Sequence, residues 1–277
     1  MPLYRPSELS EFLASLHHHP KRTLSQNFLI DGNIVAKIVS EVNPSPDTLI
    51  VEIGPGPGVL TEAFLMAGSS VVAIEKDDVL ANALHRLDPE GGKLSVIASD
   101  IMDCSFAEII AHHTAASVIL VSNLPYHLTT PIIQKLMEKP ALFSRAVLMV
   151  QEEVARRLTG GKPSLVGCLA AFFSDVRYAF SVPKGCFWPK PKVDSAILTL
   201  YFRKPLLDDK EQELFFEILR MAFLHRRKTI LHSLQEGYPR EQLIAACDRA
   251  GVSYDSRPEE MSLNVWVDLF RGLIANP

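Results

Sequence analysis

This sequence predicts an α/β fold, a mostly parallel sheet finishing in a terminal antiparallel pair, followed by a small all-helical C-terminal domain. Three observations carry that expectation. Short β-branched runs at 49–53, 71–74, 94–98, 118–121 and 146–150 alternate with stretches of helical periodicity. Two longer apolar segments, 172–182 and 195–202, follow with no helix-sized insert between them. Beyond Lys204 the periodicity is helical throughout.

Each element has its own reason. Continuous apolar strands of five residues or so belong to a sheet covered on both faces, and alternation with helices implies parallel crossovers. The helices are expected at 59–67, 78–87 and 130–137, where apolar positions recur at helical spacing. Segments 172–182 and 195–202 read as the antiparallel pair. Pro205 punctuates the chain, and helices are expected at 210–224, 228–235, 240–250 and 258–273, with Gly237, Pro239, Gly251 and Pro258 at the breaks. The expected domains are therefore 1–204 and 205–277.

A composition of 47% hydrophobic and 22% charged residues is that of a soluble globular protein. Residues 1–20 have no basic stretch leading into an apolar core, and no apolar run reaches the roughly 18 residues of a membrane span, so a cytoplasmic protein without a signal peptide or membrane contact is expected. Cys104, Cys168, Cys186 and Cys247 lack CxxC spacing and histidine partners at zinc-site intervals, which argues against disulfides and a metal. His17 to His19 read as exposed. The net charge of −4 counts against a nucleic-acid partner, but residues 151–204 hold nine Lys or Arg against four acids, and Arg226, Arg227 and Lys228 form a second basic cluster. Such asymmetry fits a phosphate-facing side on an acidic protein, and equally a solvated helix face.

The segment Glu52-Ile53-Gly54-Pro55-Gly56-Pro57-Gly58 leaves a strand and opens a helix. Its glycines let the backbone approach a ligand and its helix start offers free N–H groups; alone, it is equally a packing turn or an NAD loop. Glu75, 21 residues after Gly54, ends the next strand, where a carboxylate can accept from both ribose hydroxyls. Asp100 ends the third strand, either facing an adenine or capping a helix. Prolines at 55 and 57 and a GxGxG spacing depart from the NAD pattern. Asn123-Leu124-Pro125-Tyr126 follows the fourth strand. An exocyclic base amine is a poor nucleophile because its lone pair is delocalised; two acceptors for its hydrogens (Asn123, Pro125) and a stacked ring (Tyr126) would activate it.

These segments, with Gln26-Asn27-Phe28-Leu29, Gln151-Glu152-Glu153-Val154-Ala155-Arg156-Arg157, Phe187-Trp188-Pro189-Lys190-Pro191-Lys192-Val193-Asp194-Ser195 and Arg226-Arg227-Lys228-Thr229, stand in an order and spacing that resembles the bacterial small-subunit (16S) ribosomal RNA adenine N6,N6-dimethyltransferases of the KsgA type, from about Lys21 to the last helices. The resemblance implies a Rossmann-like class I S-adenosylmethionine-dependent methyltransferase domain and a helical RNA-binding domain. It implies that Asn27, Leu29, Gly54, Glu75, Asp100 and Asn123 hold S-adenosylmethionine, and that Asn123, Pro125, Tyr126 and Phe187 hold the target base. Arg156, Lys190, Lys192, Arg226, Arg227 and Lys228 would contact RNA. Without it, residues 26–29 look like a helix entry and Phe187 like an apolar anchor at a strand start.

The implied reaction dimethylates two adjacent adenosines in the 3′-terminal hairpin loop of small-subunit rRNA, within a pre-ribosomal small subunit and by a monomer. His127 and the segment 160–168, which lacks the family's Tyr-Gly pair, depart from the pattern. The alternatives are the large-subunit methyltransferase of macrolide resistance, disfavoured by Asp194 and the Arg226 cluster, a non-catalytic RNA-binding relative, and an NAD-dependent oxidoreductase.

Overall fold

The computed structural model describes residues 3–123, 125–225 and 227–275. Its strands are β1 (Phe28–Leu29), β2 (Thr48–Ile53), β3 (Ser70–Glu75), β4 (Leu94–Ala98), β5 (Ser117–Ser122), β6 (Arg145–Gln151), β7 (Ser174–Val182), β8 (Phe187–Trp188) and β9 (Ser195–Phe202). The helices are α1 (Pro6–Ser15), α2 (Gly32–Val42), α3 (Val59–Met66), α4 (Asp78–Leu84), α5 (Phe106–Ala111), α6 (Thr129–Glu138), α7 (Glu152–Gly160), α8 (Leu165–Phe173), α9 (Asp209–Leu224), α10 (Ile230–Leu234), α11 (Arg240–Ala250) and α12 (Leu263–Ile274). No helix among the described residues is long and apolar enough to cross a membrane.

Seven strands form one sheet in the order β4-β3-β2-β5-β6-β9-β7. The first five in that order run parallel, and β9 returns antiparallel to β6, from Arg145 opposite Tyr201 to Gln151 opposite Ser195. All six residues of β2 are buried, as expected of a central strand covered on both faces. The parallel order reverses between β2 and β5, so β2, β3, β4 and β5 deliver their exit loops to the same end of the sheet, where ligands bind in such folds.

Several expectations are corrected. Residues 172 and 173 end α8 rather than starting a strand, because both rings pack into a phenylalanine cluster with Phe215 and Phe216. The helix entry that residues 26–29 suggest without the resemblance does not form, and Phe28 and Leu29 pair with Trp188 and Phe187 as a separate antiparallel ribbon. The expected helix at 258–273 is interrupted: a 3-10 turn at Pro258–Glu260 precedes α12, whose cap is the Ser262 hydroxyl accepting from Val265 N–H. His18 is buried, not exposed, at 4%.

The chain divides into two compact units, one running up to Arg156 and resuming at Val176–Phe202, the other comprising Arg157–Asp175 and the chain from Arg203 onward. The division thus differs from a cut at 204 by assigning 157–175 to the helical unit. The physical reason lies inside that unit: Phe172 stacks on Phe215 at 5.3 Å, and Phe215 meets Phe270 edge-on at 5.5 Å, so α8, α9 and α12 share one aromatic core.

Candidate functional site

Where β2 ends, Gly54, Gly56 and Gly58 have φ values of 70°, 56° and 88°, the left-handed region that side chains avoid. Pro55 and Pro57 alternate with them and fix the remaining φ angles. A Cβ on Gly56 would sit 3.1 Å from the Phe28 ring, and one on Gly58 2.7 Å from Leu84. At Gly56 and Gly58 an added carbon would thus combine a strained φ with a crowded neighbour. The loop borders a cavity of about 390 Å³ whose walls include residues 23–29, Glu75, Asp100, Asn123, Tyr126 and Phe187.

Glu75 closes β3 and is 6% exposed. Its Oε2 accepts the Gly56 N–H at 2.9 Å and its Oε1 the Asp77 N–H at 2.9 Å. Each oxygen keeps a lone pair, which is what two ribose hydroxyls require. Burial raises its carboxyl above the usual range, against the pull of those two N–H groups. Below it Glu52, which the sequence reading left without a role, is fully enclosed and takes the Thr61 hydroxyl at 2.6 Å. Burial pushes the Glu52 carboxyl up to about 8.

Asp100 borders the cavity, and it is also a cap. Its Oδ2 pairs with Lys76 at 2.7 Å and its Oδ1 accepts the Met102 N–H at 2.9 Å, and these two hold the carboxyl below its ordinary value. The capping and adenine-facing readings are compatible, since each oxygen again has a second lone pair.

At the exit of β5 the Asn123 N–H donates to Ile53 O at 3.3 Å, which ties this loop to the glycine loop. Its side-chain amide has no hydrogen-bond partner among the described residues. The Pro125 carbonyl accepts the Leu128 N–H at 2.9 Å, opening a 3-10 turn and leaving it one lone pair. Leu124 lies outside the described residues. Tyr126 is anchored by a 2.9 Å bond between its hydroxyl and Ser195 Oγ, a contact 69 residues apart that the sequence did not signal. Phe187 lines the same cavity but is 3% exposed and sits opposite Leu29 in the ribbon, so it also serves as the apolar anchor. Leu29 is buried with it, and Asn27 turns its Nδ2 to Ser25 O at 2.8 Å. His127 is exposed at the cavity wall.

Of the basic residues, Lys190 and Lys192 are exposed in the loop after β8. Arg156 is bonded to Glu152 at 2.6 Å and lies over the Tyr178 ring at 5.3 Å. Arg227 and Lys228 are exposed just before α10 in the helical unit; Arg226 lies outside the described residues.

A parallel sheet in this order, with a glycine loop and the Asn123 amide bordering one cavity at the strand ends, is that of a class I S-adenosylmethionine-dependent methyltransferase. A family model described as ribosomal RNA adenine dimethylase matches residues 17–274, and the chain belongs to that family. It is 42% identical over 282 residues to the ribosomal RNA small subunit methyltransferase A of Protochlamydia amoebophila (strain UWE25), covering 100% of this chain and 99% of the relative. To the protein of the same name from Chlamydia felis (strain Fe/C-56) it is 38% identical, over 98% and 96% of the two chains. The crystal structure of the 23S rRNA methyltransferase ErmE superposes with a TM-score of 0.72 at 28% identity, covering 89% of this chain and 99% of that one.

The chain is thus an rRNA adenine dimethyltransferase with S-adenosylmethionine as methyl donor. The residues present fit that donor. The cavity volume lies in the range of small-ligand sites, a Cβ on Gly56 would press on the Phe28 ring in the cavity wall, and Glu75 retains the two acceptor positions a ribose needs.

Proposed function

We propose that this protein dimethylates the N6 amines of two adjacent adenosines in the 3′-terminal hairpin loop of small-subunit rRNA, acting as a cytoplasmic monomer on a pre-ribosomal small subunit. The observation that carries the site assignment is that Asn123, Pro125 and Tyr126 border the same cavity as Gly54, Glu75 and Asp100. The choice of subunit is supported by the 42% and 38% identical relatives, both named for the small subunit, against 28% for the large-subunit enzyme.

Bound S-adenosylmethionine supplies an electrophilic methyl group and departs as a neutral thioether. Asn27 and Leu29 would cover it from the N-terminal side, Gly54 would line its methionine end, Glu75 would receive the ribose hydroxyls and Asp100 the adenine. The Asn123 amide oxygen accepts one hydrogen of the target amine, and the remaining lone pair of the Pro125 carbonyl accepts the other. Both contacts return electron density to the nitrogen as it attacks, the nitrogen gives up one proton to solvent for each methyl it gains, and holding the two reactants in line supplies much of the acceleration. Tyr126 stacks on the base and Phe187 closes the opposite wall. The base must leave its own stack to enter, which costs least in a loop. Arg156, Lys190, Lys192 and, on the helical unit, Arg227 and Lys228 engage phosphates; the Arg156 contact requires exchange from Glu152.

The test is incubation of unmethylated small and large subunits with labelled S-adenosylmethionine, followed by mapping of the modified bases. Paired dimethyladenosines near the 3′ end of the small-subunit rRNA are expected. Label confined to large subunits would transfer the assignment to the macrolide-resistance activity. Asn123→Ala should lose about a hundredfold or more in turnover while calorimetry still detects cofactor binding.

A further inference from the structure

Residues 23–29 form one wall of the cofactor cavity, yet Phe28–Leu29 is the only strand in them and that strand lies outside the main sheet. Such a segment needs attachments to hold a wall position. The rear attachment is the ribbon with β8, extended by the Ile30 N–H donating to Cys186 O at 2.8 Å. The front attachment converges on a single carboxylate, Asp77, whose side chain is completely buried. Lys21 Nζ lies 2.9 Å and Gln26 Nε2 3.0 Å from Asp77 Oδ2, with His18 Nε2 at 3.5 Å. Gln26 also accepts the Lys21 N–H through its Oε1 at 2.7 Å, which closes residues 21–26 into a loop around the carboxylate.

Asp77 faces the cofactor side as well. Its own N–H donates to Glu75 Oε1 at 2.9 Å, and Glu75 Oε2 holds the Gly56 N–H at 2.9 Å. A continuous run of contacts thus leads from Lys21 and Gln26 through Asp77 and Glu75 to the glycine loop. Burial alone would raise the Asp77 carboxyl, but Lys21 and Gln26 outweigh it and hold it below the usual range, so the latch is ionised at neutral pH.

We infer that Asp77 is a positioning residue for the methyl donor: its carboxylate latches segment 21–29 over the cavity, beside the Glu75 carboxylate that the main-chain N–H of residue 77 holds. This rests on the assignment of the cavity to S-adenosylmethionine. The latch acts on cofactor affinity more than on the transfer step, because among the described residues its members make no hydrogen bond or ion pair to Asn123, Pro125 or Tyr126. The competing role is local. Asp77 Oδ1 accepts the Val79 N–H at 3.2 Å and so caps α4, a function that needs neither Lys21 nor Gln26.

The two roles separate through variants on the segment side, which leave the cap intact. Titration calorimetry of the full chain with S-adenosylmethionine is expected to show Lys21→Met and Gln26→Ala each weakening binding several-fold, and the pair weakening it tenfold or more, as in Asp77→Ala. Lys21→Arg should recover most of the affinity lost in Lys21→Met. Turnover at saturating cofactor should change less than KM for cofactor. Amide hydrogen exchange of residues 21–29 should slow on cofactor binding in the unaltered chain and fail to slow in the paired variant. Unaltered affinity in the paired variant, with loss confined to Asp77→Ala and accompanied by a lower Tm, would overturn the latch in favour of the cap. If the unaltered chain bound no S-adenosylmethionine, the cofactor assignment would fall first and the latch with it.

Discussion

Tyr126 carries two interactions that a substitution series can separate. Its hydroxyl is bonded to Ser195 at 2.9 Å, and in the proposed reaction its ring face stacks on the base. A base–aromatic stack is worth about 1–3 kcal/mol and a single hydrogen bond about 1 kcal/mol. Tyr126→Phe should therefore reduce kcat/KM only a few-fold, and Tyr126→Ala by one to two orders of magnitude, in methylation assays on small subunits. Equal losses would place the function in the hydroxyl. Glu52 makes a prediction about pH. Its carboxyl stands at about 8 in the folded protein against 4.5 as the ordinary value. The native state thus holds a proton that the unfolded chain releases, and the resulting stability is complete below pH 4.5 and lost as pH rises through 8. Glu52→Gln keeps an acceptor for Thr61 with no proton to lose. Calorimetric Tm values should show Glu52→Gln gaining on the unaltered protein between pH 5 and 9; parallel profiles would refute the shift. A glutamate inside a glycine motif has no visible depth in the sequence, because its burial is set by the strands on either side.

Among the elements, α11 and α12 are in close contact at Gly272, where an added Cβ would meet Ala246 Cα at 3.1 Å and its Cβ and carbonyl oxygen at 3.2 Å. Backbone cannot step aside as a side-chain end can. Gly272→Val should destabilise the helical unit by about 2–3 kcal/mol, read as a lower denaturant midpoint with unchanged m-value. Long periodic elements such as α11 were legible residue for residue at 240–250, since one apolar face repeats over three turns. The two-residue strands β1 and β8 were not, because two residues carry no period, and the paired Leu29 and Phe187 stand 158 positions apart in sequence. The end of α8 was misread for a related reason: Phe172, Phe173, Val176, Tyr178, Phe180 and Val182 together fit one strand until the first two phenylalanines find partners on another helix.

For the whole molecule, a net charge of −4 means that affinity for RNA must come from local positive charge, not from the overall field. Lys190 and Lys192 are exposed and separated only by Pro191, whose fixed backbone holds them extended. Replacing both with alanine should raise the Kd for a small-subunit rRNA hairpin and reduce the slope of log K against log salt by about 0.7 per lysine, measured by fluorescence anisotropy. An unchanged slope would remove them from the interface. The sequence by itself determined the alternation of strands and helices, the glycine loop, the acids at the ends of β3 and β4 and the amide-aromatic motif after β5, because each is written in contiguous residues with a period or a spacing. Only the tertiary structure decided that α8 joins the helical unit, that Tyr126 is held by Ser195, that Glu52 is enclosed and that Asp77 gathers His18, Lys21 and Gln26. Those facts depend on which distant side chains share a buried volume, and burial is a property of the folded chain alone.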